Sequence, residues 1–190
     1  MANQNVSVQP QMKLSGAVLA GGRSSRFGTD KAQFIWHKKT LLEWALESFI
    51  GLEDVMVIGG SVATISDSQP FLGALHGLQT ALENAVCPRV AIMACDMPNL
   101  SRAYWCFLES IKADIVIPQN KNQQLEPLAA IYSRSCLGLV QKAIARDDLK
   151  LSGWWQNQSE FTTEIITWQK LEPFFPSDIF LNANSPKDLA

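Results

Sequence analysis

The chain has 190 residues, 47% of them hydrophobic and 18% charged, with a formal net charge of -2. That length buries a full core as one domain, and the slightly acidic balance excludes a broad nonspecific hold on nucleic acid or an anionic membrane. Any anion it binds must be held locally. No apolar stretch reaches the roughly 18 to 20 residues of a membrane span. Cys87, Cys95, Cys106 and Cys136 show no C-x-x-C spacing, so they are expected as reduced core thiols in a cytoplasmic protein.

Residues 1–13 are polar and rich in Gln, Asn and Val, without the basic-then-apolar order of a signal peptide; they read as a disordered leader ahead of a domain over 14–190. Gly16 to Ala20 is a buried-strand candidate, and Thr40 to Leu52 carries Leu41, Leu42, Ala45, Leu46 and Phe49 at helical spacing. Asp54 to Ile58 reads as a strand ending in Gly59-Gly60, Leu72 to Val86 as a helix, and Arg89 to Cys95 as a strand stopped at Asp96-Met97-Pro98. A helix over 101–111 with Ser101 as N-cap follows, then a strand over 114–118 and the segment Leu125 to Tyr132. A helix over 135–146, a short strand near 164–167 and a terminal strand over 179–181 complete the series. Such alternation predicts a single three-layer α/β domain: a mostly parallel, Rossmann-like sheet with helices on both faces. Ligands of such sheets sit at the carboxyl ends of the strands, where Gly21-Gly22, Gly59-Gly60 and Asp96 fall.

Two adjacent glycines directly after the first strand let the backbone approach a ligand and present N–H groups to a phosphate or a base edge. The loop is not a P-loop, because five residues separate Gly22 from Gly28 and Thr29-Asp30 precede the first lysine; nor does G-x-G-x-x-G occur. Its charge is distinctive, with Arg23, Arg26 and Lys31 within nine residues. Unit charges 4 Å apart interact by about 4 kcal/mol at an effective dielectric near 20, so this cluster suits a triphosphate. A solvated basic loop is the bland alternative.

Leu19 to Lys31 (LAGGRSSRFGTDK) resembles the L-A-G-G-x-S-x-R-x-G-x-D-K signature of the molybdenum cofactor guanylyltransferases, the MobA family of nucleotidyltransferases. Further segments resemble that family in its order: Asp67 with Gly73-Ala74-Leu75-His76-Gly77 is similar to its D...G-P-L-A-G, and Cys95-Asp96-Met97-Pro98 to its C-D-x-P. Glu126 to Tyr132 is similar to its (Q)-P-L-x-A-x-Y, and Phe180 to Leu189 to its F-x-N-x-N-T-P-x-D-L. The resemblance implies transfer of GMP from GTP to the terminal phosphate of molybdenum-molybdopterin, with Mg²⁺ as cofactor. It implies nucleotide contacts from Leu19, Ala20, Gly21, Gly22, Lys31, Asp67 and Asp96, catalytic roles for Lys31, Arg26 and Asp96, and Mg²⁺ on Asp96. Asn182 and Asn184 match the pterin side. Transient contacts with cofactor-biosynthesis proteins or acceptor molybdoenzymes would fit such a role; nucleic acid and membrane would not.

A carboxylate at the end of a buried strand is costly unless paired, hydrogen-bonded or on a metal, which supports Asp96 independently, although an Asp capping the turn before Pro98 is the simpler reading. Ser185 with Asp188 likewise forms a capping-box-like helix start. His37 is expected in a turn and His76 as a surface or satisfied helix residue, so no triad is in view. Trp154-Trp155, Trp168 and Phe174-Phe175 are expected to serve core packing or a dimer contact. Ile58-Gly59-Gly60 stands where some members carry Asn, and Ala74 and His76 depart from G-P-L-A-G. A CTP-using cytidylyltransferase, another small-molecule nucleotidyltransferase and a non-catalytic nucleotide or cofactor carrier therefore stay open.

Overall fold

The structure is a computed structural model that describes residues 12–21, 30–65, 73–156 and 158–189. Its centre is a six-stranded sheet built from β1 (Met12–Leu19), β4 (Leu52–Ile58), β5 (Arg89–Ala94), β6 (Ile115–Pro118), β7 (Ala129–Ser133) and β8 (Thr163–Ile166). A separate hairpin pairs β2 (Ile35–Trp36) with β3 (Lys39–Thr40). The sheet order is β4-β1-β5-β7-β6-β8, and β7 alone runs against its neighbours on both sides. The mostly parallel α/β domain expected from the alternation is thus what forms.

Helices cover both faces because the strands bury side chains on both. In β5, Ala91 and Met93 join the core under α1 (Leu41–Ser48), α3 (Arg102–Glu109) and the short α5 (Trp168–Leu171), while Val90 and Ile92 join the core under α2 (Ala74–Asn84) and α4 (Leu137–Ala145). This period of two is what a strand between two apolar layers requires. The end of α1 and the start of β4 lie so close to β1 that a Cβ on Gly16 would meet the Phe49 and Leu52 side chains at 2.8 Å. Thr40 and Glu43 form a capping box at the start of α1, and Ser101 caps α3 as expected, its side chain accepting from the Tyr104 N–H.

Several expectations need correction. The leader expected over residues 1–13 does not extend through Met12 and Lys13, which open β1, with Met12 paired to Leu52 in the core; the rest of that expectation lies outside the described residues. The terminal strand over 179–181 does not form, because Ile179 and Leu181 donate to Pro176 and Asp178 in successive turns. The β2–β3 hairpin was not foreseen; its two-residue turn places His37 and Lys38 at φ of 46° and 70°, without the Gly or Asn that usually marks such turns. Cys106 is exposed on α3, whereas Cys87, Cys95 and Cys136 are core residues, with burial pushing the Cys95 and Cys136 thiols up to about 12. Trp154 and Trp155 are buried against the α2–α4 layer, and Phe175 packs edge-on to Tyr104. Among the described residues, no helix is long and apolar enough to cross a membrane.

Candidate active site

The chain runs from β1 outward to β4 and then returns to β5 on the other side of β1. This reversal opens a crevice between the carboxyl ends of β1 and β5, where ligands of open α/β sheets bind. Leu19, Ala20 and Gly21 leave β1 on one side of it, and Asp96 follows β5 on the other. The two are tied by the Cys95 N–H donating to the Leu19 carbonyl at 3.2 Å.

Lys31 and Asp96, 65 residues apart in sequence, meet in this crevice as an ion pair between Nζ and Oδ2. Lys31 opens a single 3-10 turn, Lys31–Gln33, whose N-cap is Asp30; the Asp30 side chain accepts from the Ala32 N–H at 3.1 Å. The same carboxylate accepts from the Ser61 hydroxyl and backbone N–H just beyond Gly59-Gly60. Burial alone would raise the Asp30 pKa, but the hydrogen bonds from Ser61, Ala32 and Gln33 outweigh it and hold it below the usual carboxylate value. Asp30 therefore aims the turn that carries Lys31. Sequence reasoning treated Asp30 only as part of a motif; Asp directly before a short turn is the signal for an N-cap.

Asp96 is 8% exposed, and its Oδ1 is buried without a hydrogen-bond partner among the described residues. An unmatched buried polar atom costs about 1–3 kcal/mol, more when charged, so a bound cation is a natural partner. Among the described residues no three His, Cys, Asp or Glu cluster as a metal cage. A lone carboxylate beside a lysine still fits Mg²⁺, which takes one or two protein carboxylates and completes its shell with phosphate oxygens and water.

On the β1 side, the Ala20 N–H donates to the Ile58 carbonyl at 2.9 Å, and a Cβ on Gly59, at φ 73°, would lie 3.0 Å from the Gly21 Cα. The second glycine pair thus serves backbone packing between the β1 and β4 loops, a contact no sequence spacing reveals. α2 closes over this side, with Gly77 against the Leu19 side chain. His76 proves neither exposed nor satisfied: it is buried, and its Nδ1 lacks a partner among the described residues. Gly22, Arg26 and Asp67 lie outside the described residues.

On the other side, the Ala183 N–H donates to the Asp96 carbonyl at 2.8 Å. Buried Ala183 anchors the segment, and exposed Asn182 and Asn184 flank it beside Asp96. Asp188 accepts from the Ser185 N–H at 2.7 Å and from its hydroxyl at 3.1 Å, so Ser185 and Asp188 act as the local cap of the closing turn.

A Chloroflexus aggregans protein named "Probable molybdenum cofactor guanylyltransferase" is 31% identical over 204 residues, covering 94% of this chain and 92% of its own. A "Molybdenum cofactor guanylyltransferase" of Xanthomonas euvesicatoria is 44% identical over 98 residues, 49% of this chain and 52% of its own. Among solved structures, molybdopterin-guanine dinucleotide biosynthesis protein A from Archaeoglobus fulgidus superposes with a TM-score of 0.76 at 25% identity, covering 93% of this chain and 95% of its own. A 2-C-methyl-D-erythritol 4-phosphate cytidylyltransferase from Thermus thermophilus shares the fold, with a TM-score of 0.66 at 17% identity over 94% of this chain and 96% of its own. The family model described as the MobA-like NTP transferase domain matches residues 16–160. The chain belongs to the MobA-like NTP transferase domain family.

Proposed function

We propose that this chain is a molybdenum cofactor guanylyltransferase, moving GMP from GTP to the terminal phosphate of molybdopterin with release of pyrophosphate. The observation that carries the reading is the Lys31–Asp96 pair, set between the Leu19–Gly21 strand end and the Asn182–Asn184 segment at the switch point of the sheet. One half of the crevice suits a nucleotide and the other an acceptor.

The acceptor phosphate, with a second pKa of about 6, is already an anionic nucleophile near neutral pH. No general base is required, in keeping with His37 lying in the turn of a hairpin. An oxygen of that phosphate forms a bond to the α-phosphorus of GTP while the bond to the bridging oxygen breaks, and pyrophosphate leaves with the electron pair. What the site must overcome is repulsion between two anions, and positioning with electrostatic stabilisation is the main contribution in such reactions. Lys31 supplies a cation at the phosphates, held in place by Asp30 and Ser61. Arg26 is a second phosphate ligand in this reading, and Gly22 and Asp67 further nucleotide contacts. Asp96 would hold Mg²⁺ through its unmatched Oδ1; the ion, when bound, neutralises charge on the phosphate oxygens. The setting of the reaction is cytoplasmic.

The test is transfer onto molybdopterin with each labelled triphosphate in turn. GMP transfer with Mg²⁺, abolished by a chelator, is expected. Transfer from CTP in preference to GTP would assign the chain to cytidylyl transfer, and nucleotide binding without pyrophosphate release would make it a carrier.

A further inference from the structure

The turn between β6 and β7 rises at the same sheet edge as Asp96. The Ala94 N–H, two residues before Asp96, donates to the Leu128 carbonyl at 3.2 Å, two residues after Glu126. Since β7 neighbours β5 on the side away from β1, Glu126 stands across Asp96 from the Leu19–Gly21 strand end.

Its carboxylate is built into place. The Glu126 N–H donates to the Pro118 carbonyl at 2.9 Å, and its own carbonyl accepts from the Ala129 N–H at 3.0 Å. The Asn120 Nδ2 donates to Oε1 at 2.7 Å. Asn120 is itself fixed, because its Oδ1 accepts from the N–H groups of Asn122 at 2.9 Å and Gln124 at 3.1 Å. Glu126 Oε2 has no hydrogen-bond partner among the described residues. Burial pushes the Glu126 pKa up, only partly opposed by the Asn120 hydrogen bond. The Tyr104 hydroxyl donates to the Ala129 carbonyl, three residues after Glu126. Tyr104 packs edge-on to Phe180 at 5.8 Å, two residues before Asn182. The turn that carries Glu126 and the segment that leads into Asn182 therefore both pack against Tyr104. A half-buried carboxylate, oriented by an asparagine that is held on both sides, is poorly explained as a solvated loop charge.

We propose that Glu126 reads the acceptor: its carboxylate takes the adjacent N–H donors of an aminopyrimidinone ring, the edge a pterin presents, while Lys31 and Asp96 act at the phosphates. Two carboxylate oxygens accept a pair of parallel N–H bonds, which gives both orientation and selection. This rests on the acceptor being molybdopterin, as in the function proposed above.

The experiment measures GMP transfer onto molybdopterin by wild type, Glu126→Ala and Glu126→Gln, with GTP affinity by direct titration and folding by thermal melts. Expected is a tenfold or larger rise in the KM for molybdopterin in Glu126→Ala, with kcat and GTP Kd within threefold of wild type. Glu126→Gln keeps the shape and one oxygen, and is expected to raise that KM at least threefold; it carries the test alone if the alanine variant does not fold. An unchanged molybdopterin KM in a folded variant, or a matching loss of GTP affinity, overturns the assignment while leaving the proposed function standing. Failure of wild type itself to use molybdopterin overturns both.

Discussion

In the proposed function, the Asp96–Lys31 ion pair is both costly to fold and useful to chemistry. Asp96→Asn and Lys31→Ala are each expected to lower GMP transfer by at least about 10²–10³, the usual loss when one electrostatic stabiliser is removed. Their effects on folding should differ. Lys31→Ala leaves a buried carboxylate without its cation, which costs up to about 3 kcal/mol, whereas Asp96→Asn removes a charge whose Oδ1 is already unmatched and should leave the melting temperature nearly unchanged. Near-wild-type turnover in either variant would overturn the mechanism. Asp30 offers a pH test. Its pKa is lowered in the folded protein, so its stabilisation is present above the unfolded value of about 3.9 and is lost as pH falls through the folded value. Melting curves of wild type and Asp30→Asn should differ by a constant amount down to about pH 4 and converge below it.

Between elements, the β1 and β4 loops touch backbone to backbone through Gly21 and Gly59. A methyl group on Gly59 would both strain a φ of 73° and press on Gly21. Gly59→Ala should therefore cost about 1–3 kcal/mol in urea unfolding and weaken GTP binding together with it. If stability falls and GTP affinity does not, the Gly21 backbone does not hold the nucleotide. The Ala183 bond to Asp96 plays the corresponding part on the other side, tying a segment that forms no strand to the Lys31–Asp96 pair.

For the molecule as a whole, the reversal of strand order puts the Leu19–Gly21 strand end and the Asn182–Asn184 segment on opposite sides of one carboxylate, the nucleotide and acceptor sides of the proposed function. A ligand that binds only the folded state stabilises it by about 2.7 kcal/mol at 100 times its Kd, which for a domain of this size is a rise of roughly 5–10 °C in melting temperature. GTP with Mg²⁺ should produce that rise and CTP a smaller one; equal shifts for GTP, CTP and UTP would remove the case for guanine selectivity.

The alternation of strands and helices, the Ser101 cap and the position of Asp96 after a buried strand were legible in the sequence, because each follows from local periodicity or from a cap within a few residues. The charge of Lys31 was legible too, and so was its motif. What only the tertiary structure decided is which distant groups meet. The Lys31–Asp96 pair, the Asp30–Ser61 clasp, the Gly21–Gly59 contact and the Ala183–Asp96 bond all join segments whose neighbourhood is set by strand order in the sheet. His76 looked like an ordinary helix residue, since nothing in its own turn reveals how fully α2 is enclosed. Glu126 appeared as one letter of a motif, because its orientation depends on Asn120 and on β7 running antiparallel beside β5. Sequence by itself determined most of the elements, though not the β2–β3 hairpin or the turns at 179–181, and the chemistry they could carry; the pairing order of the strands, a long-range property without local signal, decided which of those groups meet.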